Sequence, residues 1–185
     1  MPLRSSSDFY SEFGKQNRRL FGFSFVELLM VIAIMAIVFS LGMASYRDFS
    51  RRKQIEAAVN QVRSDLDFAR QNALSGVKPQ NSSCNSPNTL LAYVFVAQSG
   101  SYTIRSRCSG GTVDVRSGVS LPYGVTITSN ILSDCTTPNA GNSIEFLPRG
   151  NGTNLPAGAC FRIRFSLTGS GFTQDIIVDQ SGSIR

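Results

Sequence analysis

The chain has 185 residues, 42% of them apolar and 16% charged, which excludes disordered and collagen-like proteins and suits one core plus an appendage. It carries 18 Lys and Arg against 12 Asp and Glu, a net charge of +6, and neither His nor Trp. Without His the commonest general base and metal ligand is missing, so the reading is non-enzymatic, with no cofactor and no metal.

Residues 1–22 are polar and partly basic, with Arg4, Lys15, Arg18 and Arg19, and end KQNRRLFG. From Phe23 to Ala44 the chain reads FSFVELLMVIAIMAIVFSLGMA, with Glu27 as its one ionisable group. As a helix this segment spans about 33 Å, enough to cross a bilayer. It is longer than a signal-peptide core, and no small-x-small cleavage site is followed by an obvious mature start. It therefore predicts a transmembrane helix over 23–45. Arg47, Arg51, Arg52 and Lys53 balance the four preceding cations, so the charges leave the topology tied. The cysteines orient it instead, with the C-terminal part outside the cytoplasm. Glu27 is what a plain anchor does not explain, because a carboxylate at bilayer depth costs about 2.5–3.5 kcal/mol on insertion scales.

Gly22-Phe23-Ser24-Phe25-Val26-Glu27-Leu28 resembles the processing site of type IV prepilins: Gly, Phe, then Glu fifth after the cut and an unbroken apolar run. The resemblance implies that residues 1–22 are a leader, that prepilin peptidase cuts between Gly22 and Phe23, and that Phe23 is N-methylated. The new amine of one subunit and Glu27 of a neighbour then offset each other's desolvation in a fibre and fix its register. Where many major pilins carry Pro at the twenty-second mature position, this chain has Ala44.

Beyond the membrane, Ile55, Ala58, Val59, Val62, Leu66, Ala69 and Ala73 recur at three- and four-residue spacing. They predict an amphipathic helix over 46–75, ended by Gly76 and Pro79. Residues 76–185 turn to Gly, Ser, Thr and Asn with short alternating runs, a globular β head. Leu90–Ala97 and Ser101–Arg107 predict a hairpin across Gln98-Ser99-Gly100. Further strands are expected at 112–116, 125–128, 143–147, 161–167, 172–179 and 183–185. Asp65/Asp67 and Asp175/Asp179 read as solvated faces. The four cysteines, Cys84, Cys108, Cys135 and Cys160, lack metal-site spacing and read as two disulfides. Three pairings are open; Cys84–Cys108 with Cys135–Cys160 is preferred, because each would brace a predicted hairpin. The fold class is α+β: a long N-terminal helical spine on an antiparallel, disulfide-braced head, as in type IV pilins.

Ser143-Ile-Glu-Phe-Leu-Pro-Arg-Gly-Asn-Gly, then two strands and the ending Gln180-Ser-Gly-Ser-Ile-Arg185, is similar to the FimT/FimU/GspH group of minor pilins and pseudopilins. That group implies a minor subunit of a type IV pilus, held in the bacterial inner membrane with a periplasmic head and then carried to the cell surface. Its place would be in the tip or initiation complex. The implied partners are other pilins, prepilin peptidase and the assembly platform. A type II secretion pseudopilin and a major pilin are the alternatives. A third is a DNA receptor for natural transformation, in which a basic Gly-Arg-x-Arg tail binds DNA; here only Arg185 of that tail matches. Arg149, Arg162, Arg164 and Arg185 are the candidate phosphate-binding residues, with Arg105 and Arg107 on a second strand face.

Overall fold

A computed structural model describes residues 24–185, the side chains of 41, 42, 44 and 45 excepted. The chain divides between Ala44 and Ser45 into two units. One helix, α1 (Phe25–Ser75), carries residues of both. The leader and the Gly22–Phe23 bond lie outside the described residues. So do position 23 and four side chains of the expected span 23–45. Among the described residues no helix is long and apolar enough to cross a membrane.

In the second unit the apolar stripe decides the packing. All seven stripe residues are buried, Ala58, Val62, Leu66 and Ala69 completely. The helix stops where Gly76 adopts φ 66°, with Val77 N–H donating to the Asn72 carbonyl and Gly76 N–H to Ala73.

Eight strands follow: β1 (Leu90–Gln98), β2 (Ser101–Cys108), β3 (Gly111–Ser120), β4 (Val125–Ser133), β5 (Thr137–Asn139), β6 (Ser143–Phe146), β7 (Cys160–Leu167) and β8 (Thr173–Asp179). They form two antiparallel four-stranded sheets, ordered β3-β2-β1-β6 and β5-β4-β7-β8. The expected hairpin is β1–β2, with Gln98 opposite Ser101. β7 alternates as a half-buried strand should: Phe161, Ile163, Phe165 and Leu167 point inward, Arg162, Arg164 and Ser166 outward. The helix stripe and both inner faces belong to one contiguous buried cluster. The architecture is α+β.

Four strand expectations need correction. β3 and β4 run longer than 112–116 and 125–128, and β5 lies where no strand was expected. Thr137-Pro138-Asn139 has no apolar alternation, and all three residues are exposed on the sheet edge, a place that tolerates Pro. The run 183–185 is a single bridge, Ile184 to Val178, with Arg185 and Ile177 exchanging both backbone hydrogen bonds.

Disulfides join Cys84 to Cys108 and Cys135 to Cys160, with Cα–Cα distances of 5.3 and 4.9 Å. The first ties the segment before β1 to the end of β2. The second ties the β4–β5 turn, where Asp134 and Cys135 take positive φ, to the start of β7.

Candidate functional site

The first described turns of α1 present apolar side chains on every side. Phe25, Val26, Met30, Ile34, Met35, Ile37, Val38 and Phe39 all stay exposed in the single chain. A helix that is apolar all round is stable in water only once something covers it. Glu27 is the single acidic group in the first turn, itself exposed. At a helix N-terminus a carboxylate faces the positive end of the backbone dipole. Its expected partner, the amine of a processed Phe23, lies outside the described residues.

On the head, the candidate cations fall on separate surfaces. Arg162 and Arg164 lie on the outer face of the β5-β4-β7-β8 sheet. Arg105 and Arg107 lie on the outer face of the other sheet. Most of them are engaged. Arg164 forks onto Asp175, its register partner on β8, with Nε–Oδ1 and Nη2–Oδ2 both at 2.9 Å. Arg105 pairs with Asp114 at 2.7 Å, and Arg107 with Glu145. Arg185 reaches Asp179 at 3.3 Å. Arg149 is exposed on a short 3-10 turn, Pro148–Gly150, and lines a cleft with Lys78, Thr89 and Asn151. Arg162 lies across from Ile177 and Asn130, and its buried Nε has no hydrogen-bond partner. The structure thus does not gather the six arginines into one face.

Two polar clusters escaped the sequence reading. Asp65 is buried, not solvated: only 5% exposed, it accepts a 2.6 Å hydrogen bond from the Tyr102 hydroxyl and pairs with Arg116 of the edge strand β3. The Arg116 guanidinium also lies 4.4 Å over the Phe68 ring. Burial pushes the Tyr102 phenol above its ordinary pKa, which keeps it a donor. The one local signal was position, since Asp65 sits directly before stripe residue Leu66.

The second cluster holds the C-terminus. Asp179 accepts from the Ser181 hydroxyl at 2.6 Å and the Ser183 N–H at 3.0 Å. The Ser181 hydroxyl first, then the Ser183 N–H and Arg185, hold its carboxyl below the usual carboxylate range, against a smaller opposing effect of burial. Thr153 N–H donates to the Gln180 carbonyl at 2.9 Å, and a side chain at Gly152, φ 73°, would strike that same carbonyl. The Gly-rich segment after β6 and the last six residues, both part of the sequence resemblance, are therefore packed on each other.

A family model described as type II transport protein GspH matches residues 58–182. Those residues run from the buried helix stripe through both sheets to the tail. The chain belongs to this family. No curated protein and no solved structure matches it. As a GspH-family member it is a pseudopilin or minor-pilin type of protein, a structural subunit that assembles with others of its kind. The GspH match begins at Ala58, within α1 but downstream of its apolar segment, so that segment is an independent observation.

Proposed function

We propose that this chain is a minor subunit of a type IV filament, held in the bacterial inner membrane by residues 23–45 and processed between Gly22 and Phe23. The observation that carries the proposal is a helix exposing apolar residues on all sides with one carboxylate, Glu27, in its first turn. Such a surface suits lipid before assembly and neighbouring helices after it. In the packed state the Phe23 amine of one subunit lies against Glu27 of the next, so neither charge is buried alone. The head stays in the periplasm until assembly carries it outward, which agrees with its two disulfides.

The test is mass spectrometry of filaments sheared from cells. A subunit starting at N-methylated Phe23 is expected, with Glu27→Ala still cleaved but missing from the filaments. A protein that still begins at Met1, or a Glu27→Ala subunit recovered at the normal level, overturns the proposal.

A second reading, a pseudopilin of type II secretion, is favoured by the description of the family. Deleting the gene separates the two: loss of piliation supports the first, loss of protein export the second. A DNA-receptor role would have to draw on Arg149 and Arg162, since Arg164 and Arg185 already hold carboxylates. A gel-shift titration at low salt measures it.

A further inference from the structure

Directly after the apolar segment the helix changes character. Between Tyr46 and Gln54 it carries Arg47, Arg51, Arg52 and Lys53 against Asp48 alone. Tyr46 and Phe49 are exposed between them, and the Lys53 ammonium lies 5.7 Å from the Phe49 ring and 2.6 Å from Glu56. Two loops of the head come to the same turns of helix. The β3–β4 turn brings Tyr123 beside Arg51 and Gln54, and the β7–β8 turn brings the Phe172 ring to 4.4 Å from the Arg52 guanidinium. Tyr123 is 97% exposed, the most open large hydrophobic residue described, on a turn fixed by Pro122 and by Gly124 at φ 81°.

We propose that this aromatic and basic collar seats the base of the head on anionic phospholipid headgroups, beside the point where the apolar helix leaves the bilayer. The inference rests on the membrane-held reading above and adds its lipid chemistry. Three observations select a headgroup layer as the occupant. The collar follows the apolar segment in the chain without a gap. Its charge is complementary to an anionic surface, which attracts basic residues placed beside a membrane-crossing helix. Its exposed rings are Tyr46, Phe49 and Tyr123, and Tyr in particular gains from an interface that is apolar on one side and wet on the other. Arg52 lies over the Phe172 ring, and Lys53 lies near the Phe49 ring with Glu56 as its counter-ion; both cations stay exposed.

The chain has no Trp, so Tyr123→Trp introduces a single indole at a position that packs on almost nothing. The full-length variant is reconstituted into phosphatidylcholine vesicles with or without phosphatidylglycerol, and flotation is scored first. The expected result is flotation with both. Blue-shifted indole emission and quenching by a headgroup-proximal spin-labelled lipid appear only with phosphatidylglycerol, and both are lost at high salt and in Arg51→Gln/Arg52→Gln. A floating protein whose indole stays water-like in both vesicles overturns the proposal. So does equal quenching in both, or a shift that follows protein density and not lipid charge, which would mark a contact between subunits. Failure to float overturns the membrane reading itself, and the collar with it.

Discussion

Asp65 and Tyr102 meet across 37 residues of sequence, and Arg116 closes the group from the edge strand. Truncating the carboxylate leaves a buried phenol without its acceptor and a guanidinium without its counter-ion. Asp65→Ala is therefore expected to cost about 2–3 kcal/mol, the lower part of the range for breaking such groups, because Arg116 is partly solvated. Thermal unfolding in detergent measures this. Loss of less than half a kilocalorie would show that water replaces the carboxylate. Asp179 acts at the other end of the chain. Because its folded carboxyl is a stronger acid than an ordinary one, its hold on the tail is present above about pH 4 and is lost as pH falls through the depressed folded value. Protection of the Ser183 and Arg185 amides, measured as exchange relative to the intrinsic rate at each pH, should be flat from pH 5 to 8 and fall only in more acid solution. A loss of protection setting in above pH 5 would assign the clasp to another group. Gly152 is constrained twice, by its positive φ and by the Gln180 carbonyl. Gly152→Ala should destabilise by about 1–3 kcal/mol and release the tail, visible as exchange of the Thr153 amide.

Among the elements, the helix beyond Ser45 was the most readable. Seven residues at helical spacing predicted a stripe, and all seven are buried. Period and propensity are local properties, and so is the Gly that ends the helix. Strand positions were readable for the same reason, as was the β1–β2 hairpin across its short polar turn. What a single sequence hides is pairing. The extensions of β3 and β4 exist because β2 and β7 run alongside them. β5 exists only because Thr137, Pro138 and Asn139 happen to flank Ser133, Leu132 and Ile131. The candidate sites divide in the same way. Glu27 and its apolar surroundings are contiguous in sequence and could be read there. The carboxylates that engage Arg105, Arg107, Arg164 and Arg185 come from register and could not. Leu66 tests the stripe: fully buried, its change to Ala should cost about 2–5 kcal/mol, whereas Leu74→Ala, at a half-open position, should stay within about 0.5 kcal/mol. Denaturant unfolding of both variants checks the contrast; equal effects would place the packing surface elsewhere on the helix.

The molecule combines an oxidised, well-filled head with a helix whose first described turns leave their apolar side chains exposed. Each cystine closes a loop, one of 24 and one of 25 residues in separation, for which chain-entropy reasoning gives about 3.5 kcal/mol apiece. Mild reductant should therefore lower the melting temperature of the head by several degrees for each bridge opened. An unchanged melting curve after complete reduction would show that the core alone suffices. The two bridges also share a limitation that matters under load. Neither bridge crosses between sheets, so only the backbone, and no disulfide, ties one sheet to the other or either one to the helix. A tug on the fibre would thus fall on the greasy seam between layers. The cystines would only cap how far each ruptured layer unravels, each withholding about 80 Å of slack that reducing agent would set free.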